Sequence, residues 1–262
     1  FLNVFDALRK AKEMGFSNAN ILNIGGGFQP NYIENKNEWD DFLIKLKEFV
    51  EGKSSDRLSF TGTKFGYYFD GKAVKGNYTF QDFYNATSKE LFLDKLLSKQ
   101  IPSLENRTIG EVISENLLEL WIEPGQGLLD QCGITIARVI GVKEVKGEKI
   151  VFTEMNYTNL DSDRYELFTD PILISNREKN KNTQGYFISG NLCLSIDLIT
   201  NHKIYLDYDP KPDDLLVFIN TAPYRMDFVE SEPLQNPIAK KVVWQGNQLT
   251  SEQEYITNFK SK

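Results

Sequence analysis

Four short stretches of this chain place chemistry-bearing groups at the ends of predicted strands. In LNIGGGFQP, Leu22 to Pro30, an apolar strand runs straight into Gly25, Gly26 and Gly27. Backbone amides at a strand end, followed by a helix start, form a nest for an anion, most often phosphate. A tight turn with close packing would use the same glycines, and no GK[ST] follows as in a Walker loop. In WIEPGQG, Glu123 ends an apolar strand and meets Pro124 and Gly125 at once. A carboxylate there can hold a protonated ring nitrogen or a substrate amine, or can be a surface glutamate before a turn. In GNLCLSID, Cys193 lies in an apolar, strand-like setting with Asp197 four residues later. A thiol so placed is either an inert core group or, if exposed, a proton-exchanging one. In INTAPYRMDF, Tyr224 follows a strand and a turn and is flanked by Arg225 and Asp227. A tyrosine hydroxyl donates well to phosphate, although most tyrosines simply pack.

The elements that must carry these groups change character along the chain. Val4, Phe5, Leu8 and Ala11 recur at helical spacing over about residues 3–14, and Gly15 stands where a helix stops. A strand at Ile21 to Ile24, the glycine loop and a second helix follow. That helix is expected to be capped by Asn37, to bury Trp39, Phe42, Leu43, Leu46, Phe49 and Val50, and to end at Gly52. Helix–strand–loop–helix at this spacing is the grammar of an α/β fold, in which ligands sit at the carboxyl ends of strands. Residues 53–107, rich in Tyr, Phe, Gly and Lys, read as an insertion that is either a lid or interface arm or a solvated loop, with a helix near Lys89 to Ser98. Thr108 caps a further helix, and LELWI leads to the EPGQG loop. From Gly133 onward the period is that of strands: GITIARVIGVKEV and IVFTEM form a hairpin around KGEK, and GYFISGNLCLSIDLI, DLLVFI and AKKVVW continue the β character. The expected division is 1–130 for the α/β part and 131–262 for a β sandwich or barrel.

Composition bounds the function. The 262 residues carry a net charge of −7, so there is no basic field for nucleic acid. No apolar run reaches membrane-spanning length. Cys132 and Cys193 stand far apart and outside any CxxC pair, which speaks against a disulfide framework or a bound metal and fits a reducing cytoplasm. The chain opens at Phe1, in mid-pattern, as the middle of a larger protein would.

The order of the four stretches, strand–GGG, strand–EPG, GxxCxxxD and a strand ending in a Tyr turn, resembles that of the fold-type III pyridoxal-phosphate-dependent decarboxylases, whose members include diaminopimelate and ornithine decarboxylases. The similarity runs from about Phe5 to Val243, apart from the insertion. The resemblance implies the last part of a (β/α)8 TIM-type barrel followed by a β domain of alanine-racemase C-terminal type. Ile21–Ile24 would be the seventh barrel strand and Leu120–Ile122 the eighth. It implies pyridoxal 5′-phosphate as cofactor, with Gly25, Gly26, Gly27, Gly125, Gln126 and Tyr224 around the phosphate and Glu123 paired with the pyridine nitrogen. It further implies a head-to-tail homodimer in which Cys193 reaches the partner's site as proton donor, and an interface ion pair for Asp197.

Three departures from the family pattern accompany the resemblance. Gln126 stands where an arginine is usual, which keeps hydrogen bonding but removes charge assistance. Leu194 follows the cysteine where Glu or Asp commonly contacts the substrate's far amine. The family's cofactor-anchoring lysine and ring-stacking histidine belong to early barrel strands and have no counterpart here; the single histidine, His202, falls in a segment, TNHK, that reads as a turn. The implied function is the C-terminal portion of an amino-acid decarboxylase, a lyase, inactive by itself. The alternative is a non-catalytic homologue that keeps the fold to pair with an active partner.

Overall fold

A computed structural model describes residues 1–54, 56–161, 170–179 and 183–260. Helix α1 (Leu2–Glu13) leads to strand β1 (Ile21–Asn23) and helix α2 (Lys36–Val50). The hairpin β2 (Tyr67–Phe69) and β3 (Val74–Gly76) follows. Helix α3 (Lys89–Leu97) comes next, then the short pair β4 (Gln100–Ile101) and β5 (Arg107–Thr108). Helix α4 (Ile109–Glu115) then leads into β6 (Glu119–Trp121).

Strands β1 and β6 lie side by side and parallel, Ile21 opposite Glu119 and Asn23 opposite Trp121. Parallel strands need a crossover, and everything from α2 to α4 lies within it. Leu22 of β1 is buried with Ile101, Ile109, Val112 and Ile113, so β4 and α4 close one face of the pair. The α4 start is fixed by a full capping box: the Glu111 amide donates to Thr108 Oγ1, and the Thr108 amide donates to the Glu111 carboxylate.

The expected insertion is two things. Residues 89–115 pack with the β1–β6 pair, whereas residues 65–83 gather around Trp39, Leu46 and Val50 of α2 in a separate aromatic core with Phe65, Tyr67, Phe80 and Phe83. Helix α2 therefore belongs with the aromatic unit. Its cap is Asn35 in place of the expected Asn37: the Asn35 side chain accepts the Asn37 amide at 3.0 Å. Asn35 is extended there, as an N-cap must be, which leaves Asn37 inside the first turn.

The second half is a six-stranded mixed sheet. Its strands are β7 (Ile134–Val145), β8 (Glu148–Thr153), β9 (Ile172–Ile174), β10 (Gln184–Ser189), β11 (Leu198–Leu206) and β12 (Leu215–Ile219), in spatial order β11-β10-β8-β7-β12-β9. The β7–β8 hairpin turns at Lys146 and Gly147, both with positive φ, the two-residue turn whose twist suits paired strands. Alternate residues, among them Ala137, Val139, Val151, Ile188, Ile204, Leu216 and Phe218, fill the core. Residues of both edges, Ile172 to Ile174 and Tyr205 to Leu206, line one depression, so the sheet is curled until its borders approach. His202 lies inside β11, not in a turn: the TNHK stretch pairs with β10 through Thr200, and Ser59 bridges to His202 from the other side. Residues 58–60 thus run along the outer border of β11. A hairpin, β13 (Val242–Gln245) with β14 (Gln248–Ser251), and helix α5 (Glu252–Lys260) are the last described elements.

Candidate active site

The carboxyl ends of β1 and β6 bring the glycine loop and Glu123 together. Past the strands the pairing continues, with the Ile24 amide on the Trp121 carbonyl at 3.0 Å and the Glu123 amide on the Gly25 carbonyl at 2.8 Å. Two of the three glycines have positive φ, +72° at Gly25 and +99° at Gly27, which side chains rarely accept. Gly26 is needed for proximity, since a Cβ there would lie 3.2 Å from the Glu123 carbonyl oxygen. The two loops touch again farther on, where a Cβ on Gly127 would collide with the Phe28 carbonyl oxygen.

Asn23, at the end of β1, ties these pieces. Its side-chain amide donates to Glu123 Oε1 at 2.7 Å, and its carbonyl oxygen accepts the Gly25 amide at 2.8 Å. One side chain therefore orients the carboxylate and shapes the glycine turn. Tyr224 comes from the turn after β12. A Cβ on Gly125 would lie 3.0 Å from the Tyr224 hydroxyl oxygen, so the ring tip rests on the EPG loop. Gly125 has φ +50° and Tyr224 φ +64°, so both backbones are bent to make this approach. Gln126 is half-buried in the short helical turn that follows Pro124.

Gly25, Gly26, Gly27, Glu123, Gly125, Gln126 and Tyr224 therefore occupy three adjoining loops. Behind them, the Asp130 carboxylate pairs with Lys89 and accepts Asn220 Nδ2 at 3.0 Å. Tyr32 adjoins the same group: burial first, then the Asp130 charge, push its phenol up to about 12 against the opposing pull of Arg225.

Cys193 lies elsewhere. The expected strand breaks after Ser189, and Cys193 stands exposed in the loop that joins β10 to β11. It lines a depression with Ile140, Val142, Lys143, Phe152 and Asn191, which includes none of the glycine-loop, Glu123 or Tyr224 residues. Asp197 closes that loop from inside. Its carboxylate accepts the Tyr157 amide at 2.8 Å and the Leu192 amide at 2.6 Å, and it is 1 % exposed. Burial raises its pKa, and the two amide hydrogen bonds oppose the rise. A carboxylate so enclosed organises the cysteine loop within its own chain. A side chain on Gly190 would strike it.

Asn23, Asp130, Lys89 and Asn220 carry no functional signal in the sequence. An asparagine before glycines reads as a turn residue, and the other three are joined only by the fold. Among the described residues no cluster of His, Cys, Asp and Glu could hold a metal ion, and no helix is long and apolar enough to cross a membrane.

Among known proteins, the chain is 25 % identical over 238 residues to the uncharacterized protein y4yA of Sinorhizobium fredii, covering 89 % of this chain and 47 % of that relative. It thus spans about half the length of the relative it matches. Diaminopimelate decarboxylase of M. jannaschii, solved with L-lysine, superposes with a TM-score of 0.55 at 16 % identity, covering 95 % of this chain and 43 % of that one. The Helicobacter pylori diaminopimelate decarboxylase gives 0.52 at 11 %, covering 98 % and 50 %. At these identities the likeness is one of fold. The family model described as pyridoxal-dependent decarboxylase, C-terminal sheet domain, matches residues 5–222, and the chain belongs to that family.

Proposed function

We propose that this chain is the cofactor-holding, C-terminal portion of an amino-acid decarboxylase, with the glycine loop, Gln126 and Tyr224 around the cofactor phosphate and Glu123 at its ring nitrogen. The family's cofactor is pyridoxal 5′-phosphate. The residues fit it: the bare backbone of the glycine turn, the Glu123 carboxylate and the Tyr224 hydroxyl adjoin, through contacts at Gly26 and Gly125 too close to admit a Cβ. The observation that carries the reading is the junction of the two loops, with the Glu123 amide on the Gly25 carbonyl and the Glu123 carboxylate held by Asn23.

When bound, the cofactor supplies an electron sink for the pair of electrons left as carbon dioxide departs. The chain's own groups serve that chemistry. Amides of the glycine turn and the Tyr224 hydroxyl bind and orient the phosphate. Glu123 keeps a proton on the ring nitrogen, and Asn23 keeps Glu123 aimed. Exposed Cys193 delivers a proton to the substrate's α carbon in the site of a partner subunit. Leu194, exposed beside it, offers no charge to a distal amine, so the reading favours substrates with an uncharged far end.

The test is cofactor titration of a full-length protein containing this chain, followed by carbon dioxide release from amino acids. Saturable binding with a visible absorption band is expected, and Glu123→Gln should lower turnover on the order of a hundredfold with little change in cofactor affinity. A colourless protein in saturating pyridoxal 5′-phosphate would reject the reading and leave the non-catalytic homologue.

A further inference from the structure

The loop that carries Tyr224 begins directly after β12. Its foot is Asn220, buried, with φ +54°. Asn220 Oδ1 accepts the Gln131 amide at 2.9 Å, while its Nδ2 donates to Asp130. The next residues continue the attachment, with the Thr221 amide on the Gly133 carbonyl and the Ala222 amide on the Cys132 carbonyl. Space at this seam is tight: a Cβ on Gly133 would lie 2.9 Å from that of Ala222. The Tyr224 turn thus stands on residues 130–133, and the side-chain link within that footing is Asp130.

Asp130 has 5 % of its side chain exposed, and a carboxylate so enclosed requires a partner charge. Lys89 supplies it, reaching in from the start of α3 with 35 % of its own side chain exposed. Lys89 is itself held in an unusual backbone state, φ +45°, with its amide on the Gln29 carbonyl at 3.2 Å. Gln29 belongs to the glycine loop. Three residues on, Phe92 packs edge-on against Phe28 and approaches Gly27. Lys89 therefore touches the glycine loop through its backbone and the Tyr224 footing through its side chain.

We infer that the Lys89–Asp130–Asn220 chain is a tether that sets the position of Tyr224 relative to the glycine loop, and that Lys89 and Asp130 act as positioning residues for phosphate recognition. Lys89 forms no part of the loops it joins; it enters as the first residue of α3. Its ammonium is neutralised by Asp130, so its part in phosphate binding is indirect. The inference rests on the proposed function for the identity of the phosphate, but the tether itself is a statement about the fold.

The experiment pairs a structural readout with a ligand comparison. Amide exchange at Thr221 and Ala222 is measured in the full chain for wild type, Lys89→Met, Lys89→Arg and Asp130→Asn. The affinities of pyridoxal 5′-phosphate and of pyridoxal, which lacks the phosphate, are measured alongside. Lys89→Met should speed exchange at both amides on the order of tenfold and weaken pyridoxal 5′-phosphate on the order of tenfold, with pyridoxal unchanged. Asp130→Asn should act in the same direction, and Lys89→Arg should restore both. Unchanged exchange in Lys89→Met overturns the tether. Equal loss of the phosphorylated and unphosphorylated ligands overturns its role in phosphate recognition. A wild type that binds neither ligand overturns the proposed function instead, while the exchange result still decides the tether.

Discussion

At the residue scale, the site is governed by how few atoms fix a carboxylate that lies at the surface. Glu123 is exposed, and a free glutamate there would sample several rotamers at little cost. The 2.7 Å bond from Asn23 removes that freedom, and the same asparagine accepts the Gly25 amide. Asn23→Ala should therefore leave thermal stability within about 1 kcal/mol of wild type, since the site is solvated and each lost bond is partly replaced by water. Decarboxylation by the full-length protein should nonetheless fall roughly tenfold in kcat, because an aimed group is lost. An unaltered kcat would make Asn23 a turn former only. The three glycines are legible as a candidate phosphate nest because a strand end gains little else from giving up three side chains in a row. Asn23 is not legible, because asparagine before glycine is ordinary turn chemistry. For Cys193 the sequence discloses the residue type but not the setting: GNLCLSID has the apolar spacing of a strand, yet the buried Asp197 carboxylate gathers the Tyr157 and Leu192 amides and turns the segment into a loop. A hydrogen bond over 40 residues leaves no periodic trace in the sequence.

At the element scale, the aromatic unit is bound to the border of the sheet by backbone pairing and a small ionic cluster. The Phe60 amide donates to the Asn201 carbonyl at 2.8 Å and the Lys203 amide to the Leu58 carbonyl at 2.9 Å, so residues 58–60 cover the unpaired side of β11. The polar residues of the TNHK stretch suggest a turn. It forms a strand because this second partner satisfies its backbone, and Asn201 Oδ1 takes the Thr61 amide besides. Lys203 Nζ reaches Asp56 at 2.5 Å and Glu148 at 3.0 Å, and Tyr205 donates to Asp56 as well. Burial raises the Asp56 pKa, but the Lys203 and Tyr205 hydrogen bonds outweigh it and leave a value below the ordinary 3.8. A depressed carboxylate contributes stability that is present above its unfolded pKa and lost as pH falls through the folded value. The attachment should therefore hold at neutral pH and loosen below 3.8. Amide exchange at Phe60 and Lys203, corrected for intrinsic rates, should rise there. Asp56→Asn should loosen the attachment at neutral pH and flatten the acid response, whereas a flat profile in wild type would assign the attachment to the backbone pairing and to Phe60 packing on Phe187.

At the scale of the whole molecule, the loops proposed to hold the cofactor and the thiol proposed to act with them sit on different parts of the chain. Gly25 to Gly27, Glu123 and Tyr224 gather where the α/β part meets the sheet, while Cys193 lines a depression of the sheet itself. On the proposed reading, a thiol so placed would serve the site of a second copy. The sheet also turns isoleucines outward on three neighbouring strands, Ile134 and Ile136 on β7, Ile219 on β12 and Ile172 and Ile174 on β9, each at least 40 % exposed. An apolar face of that extent suits association better than solvation. If sites are shared between two subunits of a homodimer, variants disabled on opposite sides of the same site must complement each other. Full-length Glu123→Ala and Cys193→Ala should each turn over slowly alone. Mixed at equal concentration after subunit exchange, half the dimers pair one of each, and each such dimer regains one intact site, giving roughly a quarter of wild-type activity. A mixture no more active than the mean of its two components would place the thiol's action within its own subunit, or outside the reaction, and the shared-site arrangement would be withdrawn.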